Sequence, residues 1–171
     1  MANELSHIDL LVLDVDGVLT DGGVTLDKDG EEIKTFHVWD GLRLRMLQRV
    51  GIPVAIITGR KSKALSYRVK ELGITLFWDA VTDKAKALAE LSQKTGIGFE
   101  KMAAIGDDLP DLPMFSRVGF SVAVQNAHPI IKEKADLVLV QVGGKGAVCD
   151  FCESLLQAKG LWEKALEPFT V

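Results

Sequence analysis

Cysteine is scarce in this chain: 171 residues include two, Cys149 and Cys152, which together make a single C-x-x-C. A structural zinc site takes about four ligands, and no second Cys or His pair stands at a suitable spacing, so a zinc-held fold is excluded. Both thiols fall inside the helix-like stretch GAVCDFCESLLQA, residues 146–158, where positions i and i+3 share a face. That placement favours helix packing over redox chemistry. Long apolar runs are missing as well. No segment approaches the roughly 20 apolar residues that a membrane-spanning helix needs. Basic excess is also missing, since the formal net charge is −4 and no Lys/Arg cluster stands out. That argues against a nucleic-acid or membrane partner. The first residues, MANELSHID, have neither the basic nor the apolar region of an export signal, so a cytoplasmic protein is expected. There is no repeat, low-complexity tract or linker, and a chain of this length suits one domain, 1–171.

What is present alternates. Short apolar, branched runs recur at 10–15, 54–57, 76–77, 102–105, 120–124 and 137–140. Helical patterns lie between most of them, at 41–50, 61–72, 83–95, 109–116 and 129–134. Apolar strands without polar alternation suit a parallel sheet covered on both faces. The order of elements therefore predicts an α/β fold with a doubly wound parallel sheet. The last residues, GLWEKALEPFTV, read as a short tail with apolar anchors, and GGKG at 143–146 reads as a mobile loop before the last helix. One stretch breaks the alternation. VTLDKDGEEIKTFHV, about 24–38, places Asp29-Gly30 between two strand-like arms, a β-hairpin signal between the first strand and the first helix.

The chemistry is concentrated at strand ends. IDLLVLDVDGVLTDGG, residues 8–23, delivers Asp14 and Asp16 from a core strand, with Asp21 close behind. Residues two apart on extended backbone point to the same side, and crowded carboxylates repel unless a cation or shared proton intervenes. A hard divalent ion such as Mg²⁺ resolves that conflict. A second acidic cluster, IGDDLPDLP, places Asp107, Asp108 and Asp111 after another strand. Capping of the following helix explains Asp108 but not all three. AIITGR ends a third strand with Thr58, Gly59 and Arg60, whose hydroxyl, amides and guanidinium suit phosphate oxygens. Lys84 in VTDKAKAL opens a helix, where an ammonium opposes the helix dipole and calls for an anionic partner. His128, before Pro129, needs only a local hydrogen bond.

The ordered set D-x-D, T, K and GDD-x-x-D resembles the haloacid dehalogenase-like superfamily of phosphotransferases over essentially the whole chain. The resemblance implies a Rossmann-like fold in which Asp14 is a nucleophile, Asp16 a general acid–base, and Thr58 and Lys84 neutralise phosphoryl oxygens. It implies Mg²⁺ held by Asp14, Asp107 and the backbone carbonyl of Asp16. Asp16 in second place points to a phosphatase. The stretch from Asp16 to Thr58 is filled by the hairpin and one helix, and that from Thr58 to Lys84 by a helix and a strand, so no large cap domain fits.

The stretches DVDGVLTDG, GEEIKTFHVWDG, AIITGRKS, GDDLPDLP, VAVQNAHP and GGKGAV resemble more closely the 3-deoxy-D-manno-octulosonate 8-phosphate phosphatase family. The resemblance implies a sugar-phosphate substrate contacted by Asp16, His37, Val38, Trp39, Asp40, Gly41, Arg45, Arg60, Arg68 and Lys84. It also implies a homotetramer in which a neighbour helps close each site. A lone hairpin is marginal in water and its edges invite pairing with another chain, so apolar Val24, Leu26, Ile33, Phe36 and Val38 are expected between subunits, the alternative being a hairpin folded back on its own domain. Trp39 departs from the family pattern F-x-V-R-D-G, so one contact to the sugar carboxylate is lost or passes to Arg43 or Arg45. Two alternatives stand beside this reading. One is a phosphatase of a nine-carbon 2-keto-3-deoxynononate 9-phosphate, whose subgroup carries Glu in the place of Arg60. The other is a non-catalytic module like that appended to some sialate-activating enzymes, against which the full catalytic set argues. A P-loop nucleotidase is excluded, because GGKG lacks the G-x-x-x-x-G-K-[ST] spacing.

Overall fold

In chain order the elements begin with helix α1 (Ala2–Leu5), strand β1 (Leu10–Leu13), hairpin strands β2 (Thr25–Leu26) and β3 (Glu32–Ile33), and helix α2 (Val38–Arg49). Strand β4 (Val54–Ile57), α3 (Lys63–Glu71), β5 (Leu76–Trp78), α4 (Lys84–Thr95) and β6 (Met102–Gly106) follow. The chain ends with α5 (Leu112–Phe115), β7 (Phe120–Ala123), α6 (Pro129–Lys134), β8 (Leu137–Val138), α7 (Ala147–Ala158) and α8 (Trp162–Leu166). These come from a computed structural model that describes residues 2–170.

Six strands form one parallel sheet in the order β5-β4-β1-β6-β7-β8. Strand β1 lies between β4 and β6, with Leu11 beside Val54 on one side and Ala103 on the other. Every residue of β1, β4, β6 and β7 is buried, which is why these strands read as unbroken apolar runs rather than alternating ones. Helices α2 and α7 pack together, while α4 packs on α5 and α5 on α6. Strand order reverses at β1, so a crevice opens beyond its carboxyl end. The expected architecture and hairpin are both present.

The departures are local and have causes. The chain leaves β1 at Leu13, because the Val15 carbonyl accepts backbone N–H bonds from Val18, Leu19 and Thr20 and curls it into a turn. Helix α3 starts at Lys63 because Ser62 is its N-cap, accepting from the Leu65 N–H at 3.4 Å. The stretch 109–116 is a 3-10 turn (Leu109–Asp111) followed by the short α5, since Pro110 and Pro113 cannot donate backbone bonds. Helix α2 begins at Val38 rather than Gly41, so the hairpin arms are two paired residues each. The tail is more ordered than expected: α8 and a 3-10 turn (Glu167–Phe169) bury Ala165 and pack Trp162 and Leu166 on the core. Val171, the last residue of that predicted tail, lies outside the described residues. The GGKG segment is not a free loop. Gly143 is buried and donates to Asn126 Oδ1 at 2.9 Å, while the Gly144 N–H donates to the Val18 carbonyl at 2.9 Å. A Cβ at Gly143 would collide with the Gly17 carbonyl, so this turn seats against the turn carrying the D-x-D carboxylates.

Candidate active site

Asp14 leaves β1 into the crevice and is buried, its backbone N–H donating to the Ile105 carbonyl of β6 at 3.1 Å. Opposite it, Asp83 caps α4 by accepting from the Lys86 N–H at 3.0 Å, which fixes Lys84 as the first helical residue. The Lys84 Nζ reaches Asp14 Oδ1 at 2.8 Å and Asp111 Oδ1 at 2.6 Å. The anionic partners that a lysine at a helix start calls for are thus two carboxylates of the chain itself. Burial alone would lower the Lys84 pKa, but the charges of Asp14 and Asp111 outweigh it and raise it above the ordinary range.

Asp111 is the keystone of the second acidic cluster. Its Oδ2 accepts from the backbone N–H groups of Asp107 at 2.9 Å and Asp108 at 3.3 Å, while Oδ1 holds Lys84. Asp108 is the cap expected of it, accepting from the Leu109 N–H at 2.8 Å. Asp107 is left over. Its Oδ1 is buried without a hydrogen-bond partner among the described residues, and burial followed by the charges of Asp14, Asp111 and Asp108 pushes its carboxyl up to about 8. Burial and then the Asp111 charge, opposed by Lys84, push Asp14 up to about 6. Gly17, at φ +93°, allows Asp107 this close, since a Cβ there would collide with Asp107 Oδ2.

Asp14, Asp107 and Asp111 each offer a carboxylate oxygen within 4.8 Å of the others. Hard oxygens in excess of the cations facing them, one of them orphaned, fit a divalent ion of the Mg²⁺ type. Both Asp111 oxygens are already engaged, so Asp14 and Asp107 are the side chains with capacity to hold it.

Thr58 stands at the end of β4, buried, with its N–H donating to the Trp78 carbonyl and its carbonyl accepting from Val81, each at 3.0 Å. This pins its hydroxyl beside the carboxylates, where Oγ1 accepts from the Arg60 N–H at 3.3 Å. Asp14, Asp16, Thr58, Arg60, Lys84 and Asp107 all line one cavity of about 730 Å³. All six are candidates named from the sequence.

The remaining predicted contacts do not line that cavity. Val38 and Trp39 are exposed at the start of α2, with the His37 ring edge-on to Trp39 at 5.4 Å. Arg68 pairs with Glu71 at 2.8 Å, lies over the Phe36 ring, and borders a separate open groove of about 560 Å³ with Phe36, Val38 and Tyr67. Gly41 lies beneath the Arg68 guanidinium, which a Cβ would displace. Arg45 is exposed on α2. Asp40 is buried, and its Oδ1 accepts from the Cys149 N–H at 2.8 Å, tying α2 to the start of α7.

The hairpin supplies what the sequence reading overlooked. Lys34 contacts Asp16 Oδ1 and lies 3.2 Å from Glu32 Oε2, and its side chain is 2% exposed. Glu32 also accepts from Arg60 at 2.9 Å, and the Arg60 Nε stands 3.8 Å from Asp16 Oδ2. Burial would raise Glu32, but hydrogen bonds from Lys34 and Arg60 outweigh it and hold its carboxyl below the usual range. The available signal was strand alternation: 32 and 34 share one hairpin face, while Ile33 on the other is exposed. His128 behaves as expected, its Nδ1 accepting from the Ile130 N–H at 3.3 Å.

Comparison with known proteins places the chain among characterised relatives. Residues 78–151 match the haloacid dehalogenase-like hydrolase family model. The chain is 45% identical over 159 residues to 3-deoxy-D-manno-octulosonate 8-phosphate phosphatase of Escherichia coli (strain K12), covering 93% of this chain and 85% of that one. The Moraxella catarrhalis enzyme of that name, solved with magnesium ion, phosphate ion and a KDO molecule, superposes with a TM-score of 0.95 at 40% identity. That match covers 99% of this chain and 97% of the other. The cobalt-bound Haemophilus influenzae phosphatase gives a TM-score of 0.90 at 43% identity, covering 93% of each chain. Likeness of this extent, over a parallel sheet that gathers carboxylates, a threonine and a lysine at its switch point, has one meaning: the chain belongs to the 3-deoxy-D-manno-octulosonate 8-phosphate phosphatase family of haloacid dehalogenase-like hydrolases.

Proposed function

We propose that the protein hydrolyses 3-deoxy-D-manno-octulosonate 8-phosphate to the free sugar acid and phosphate, in the supply of a lipopolysaccharide precursor. The observation that carries this reading is the convergence of Asp14, Asp16, Thr58, Lys84 and Asp107 on one cavity at the end of the central strand.

A carboxylate oxygen of Asp14 attacks phosphorus while the bond to the sugar oxygen breaks, and Asp16 gives that oxygen a proton. Asp16 then takes a proton from a water whose oxygen attacks phosphorus, releasing phosphate and restoring the Asp14 carboxylate. Thr58 and Lys84 neutralise the phosphoryl oxygens, and Lys84 is already charged and oriented by its two carboxylates. Asp14 and Asp107, with the Asp16 backbone carbonyl, would hold Mg²⁺, which when bound supplies further neutralisation of charge on the phosphoryl group. Arg60, at the cavity mouth, serves the anionic sugar acid.

The assembly belonging to this reading is a homotetramer. Val24, Leu26, Ile33 and Val38 are exposed in the single chain, as is Tyr67, and a lone hairpin is marginal in water. His37, Val38, Trp39, Arg45 and Arg68, which do not line their own cavity, then serve the site of a neighbour, while buried Asp40 and Gly41 support them from below. Cytoplasmic placement is part of the same proposal. No helix among the described residues is long and apolar enough to cross a membrane.

A screen of sugar phosphates with Mg²⁺ tests the substrate. The eight-carbon keto acid phosphate is expected to give the highest kcat/KM, and a nine-carbon keto acid phosphate turned over much faster would overturn the assignment.

A further inference from the structure

Asp14 is oriented by Lys84, and Asp111 by two backbone N–H groups. Asp16 has no such support from the sheet. Among the described residues its carboxylate accepts no backbone hydrogen bond, and its close donor is Lys34, from an insertion that is not part of the parallel sheet. Lys34 is in turn enclosed. Its side chain is almost wholly buried, an unusual state for a lysine. Glu32, two residues earlier on the same hairpin face, flanks it at 3.2 Å. Arg60 closes the ring from the end of β4, contacting Glu32 at 2.9 Å and approaching the other Asp16 oxygen at 3.8 Å. The result is an alternating ring of Asp16, Lys34, Glu32 and Arg60, in which two hairpin residues meet two strand-end residues. A desolvated ammonium persists where a carboxylate compensates it, so the Lys34–Asp16 contact ties the Asp16 rotamer to the hairpin, with Glu32 and Arg60 closing the ring around it.

We propose that Lys34 is a positioning residue for the reaction: it holds the Asp16 carboxyl in the orientation from which it reaches the leaving oxygen, and makes that orientation depend on the docked hairpin. This rests on the acid–base role given to Asp16 above. Orientation matters because a catalytic group displaced by about 1 Å from its productive geometry can lose on the order of 100-fold in rate.

Leaving-group dependence tests it. A sugar alkoxide needs a proton as it departs, whereas p-nitrophenolate departs without one. The measured quantity is the ratio of kcat/KM on 3-deoxy-D-manno-octulosonate 8-phosphate to kcat/KM on p-nitrophenyl phosphate, with Mg²⁺ present, because kcat/KM reports the steps through departure of the leaving group and leaves out the later hydrolysis that Asp16 also serves. Lys34→Met is expected to lower that ratio by roughly 100-fold, within the range that a positioned acid–base contributes. Lys34→Arg should recover part of the loss, because it keeps a hydrogen-bonding cation within reach of Asp16. Glu32→Gln controls for hairpin docking, since it breaks the ring but leaves the Lys34–Asp16 contact; its ratio should fall much less. Equal losses on both substrates in Lys34→Met, no loss at all, or a Glu32→Gln ratio that falls as far, would each overturn the proposal. Asp16→Asn separates the two levels. If it fails to lower the ratio, the acid–base reading itself is wrong; if it lowers the ratio and Lys34→Met does not, only the role of Lys34 is lost.

Discussion

Replacing Asp14 by Asn should abolish turnover and, in metal-free protein, make the fold more stable. The amide cannot serve as nucleophile, so the loss of activity follows from the chemistry. The gain in stability follows from the electrostatics. Burial and the neighbouring Asp111 charge, only partly offset by Lys84, raise the Asp14 carboxyl from 3.8 to about 6. Two units correspond to about 3 kcal/mol by which the folded state disfavours the ionised group. Between these values the folded protein binds a proton that the unfolded chain has lost, so wild-type stability falls as pH rises through that window and is flat above it. Asn does not titrate. The advantage of Asp14→Asn should thus be near zero below about pH 4 and reach its full size above about pH 6. For a chain of this length about 3 kcal/mol corresponds to roughly 6–12 °C in Tm. Relief of Asp107, whose rise is partly due to the Asp14 charge, acts in the same direction. Thermal melts in chelator across pH measure the gap, and a repeat in Mg²⁺ should shrink it, because wild type gains more from the ion. A variant that melts below wild type in chelator at about pH 8, or a gap independent of pH, would refute the reasoning.

Lys84→Met leaves Asp14 and Asp111 facing each other without the ammonium that each contacts within 2.8 Å. It should cost about 3–5 kcal/mol in denaturant melts as well as activity, with little loss of stability as the contrary result. Burial pushes the Cys149 thiol up to about 12 and raises that of Cys152 as well, and both side chains are buried. Native protein at neutral pH should therefore resist iodoacetamide and label only on unfolding; rapid labelling would restore a redox reading of the C-x-x-C. Light scattering should give a tetramer for the intact chain. Deletion across the hairpin turn at Asp29–Gly30 should give smaller species that still cleave an aryl phosphate slowly, whereas a fully active wild-type monomer would contradict the assembly.

How legible the site was depends on which physical level places each residue. Asp14, Thr58, Lys84 and Asp107 sit just after buried parallel strands or at a capped helix start, and local patterns locate such positions before any tertiary contact is known. Asp108 and His128 were legible for the same reason, since an N-cap acts within a few residues of itself. Lys34 and Glu32 were not, because their importance comes from where the hairpin docks. A Lys and a Glu on an insertion look like solvated charges until Asp16 and Arg60 stand opposite them. Asp111 was visible as a member of a cluster, but its double acceptance from backbone N–H groups depends on a 3-10 turn that Pro110 and Pro113 impose. The GGKG turn shows the opposite error: glycine suggested freedom, where the requirement was close approach to the Gly17 carbonyl. What the single chain leaves apart, the Arg68 groove and the Asp14 cavity, no local pattern could have joined. In the proposed tetramer such residues act across a subunit boundary, and in sequence they are indistinguishable from surface. Arg45, Trp39 and Arg68 could be singled out only through resemblance, and the hairpin-deletion experiment therefore bears on those three more directly than on Asp14 or Lys84.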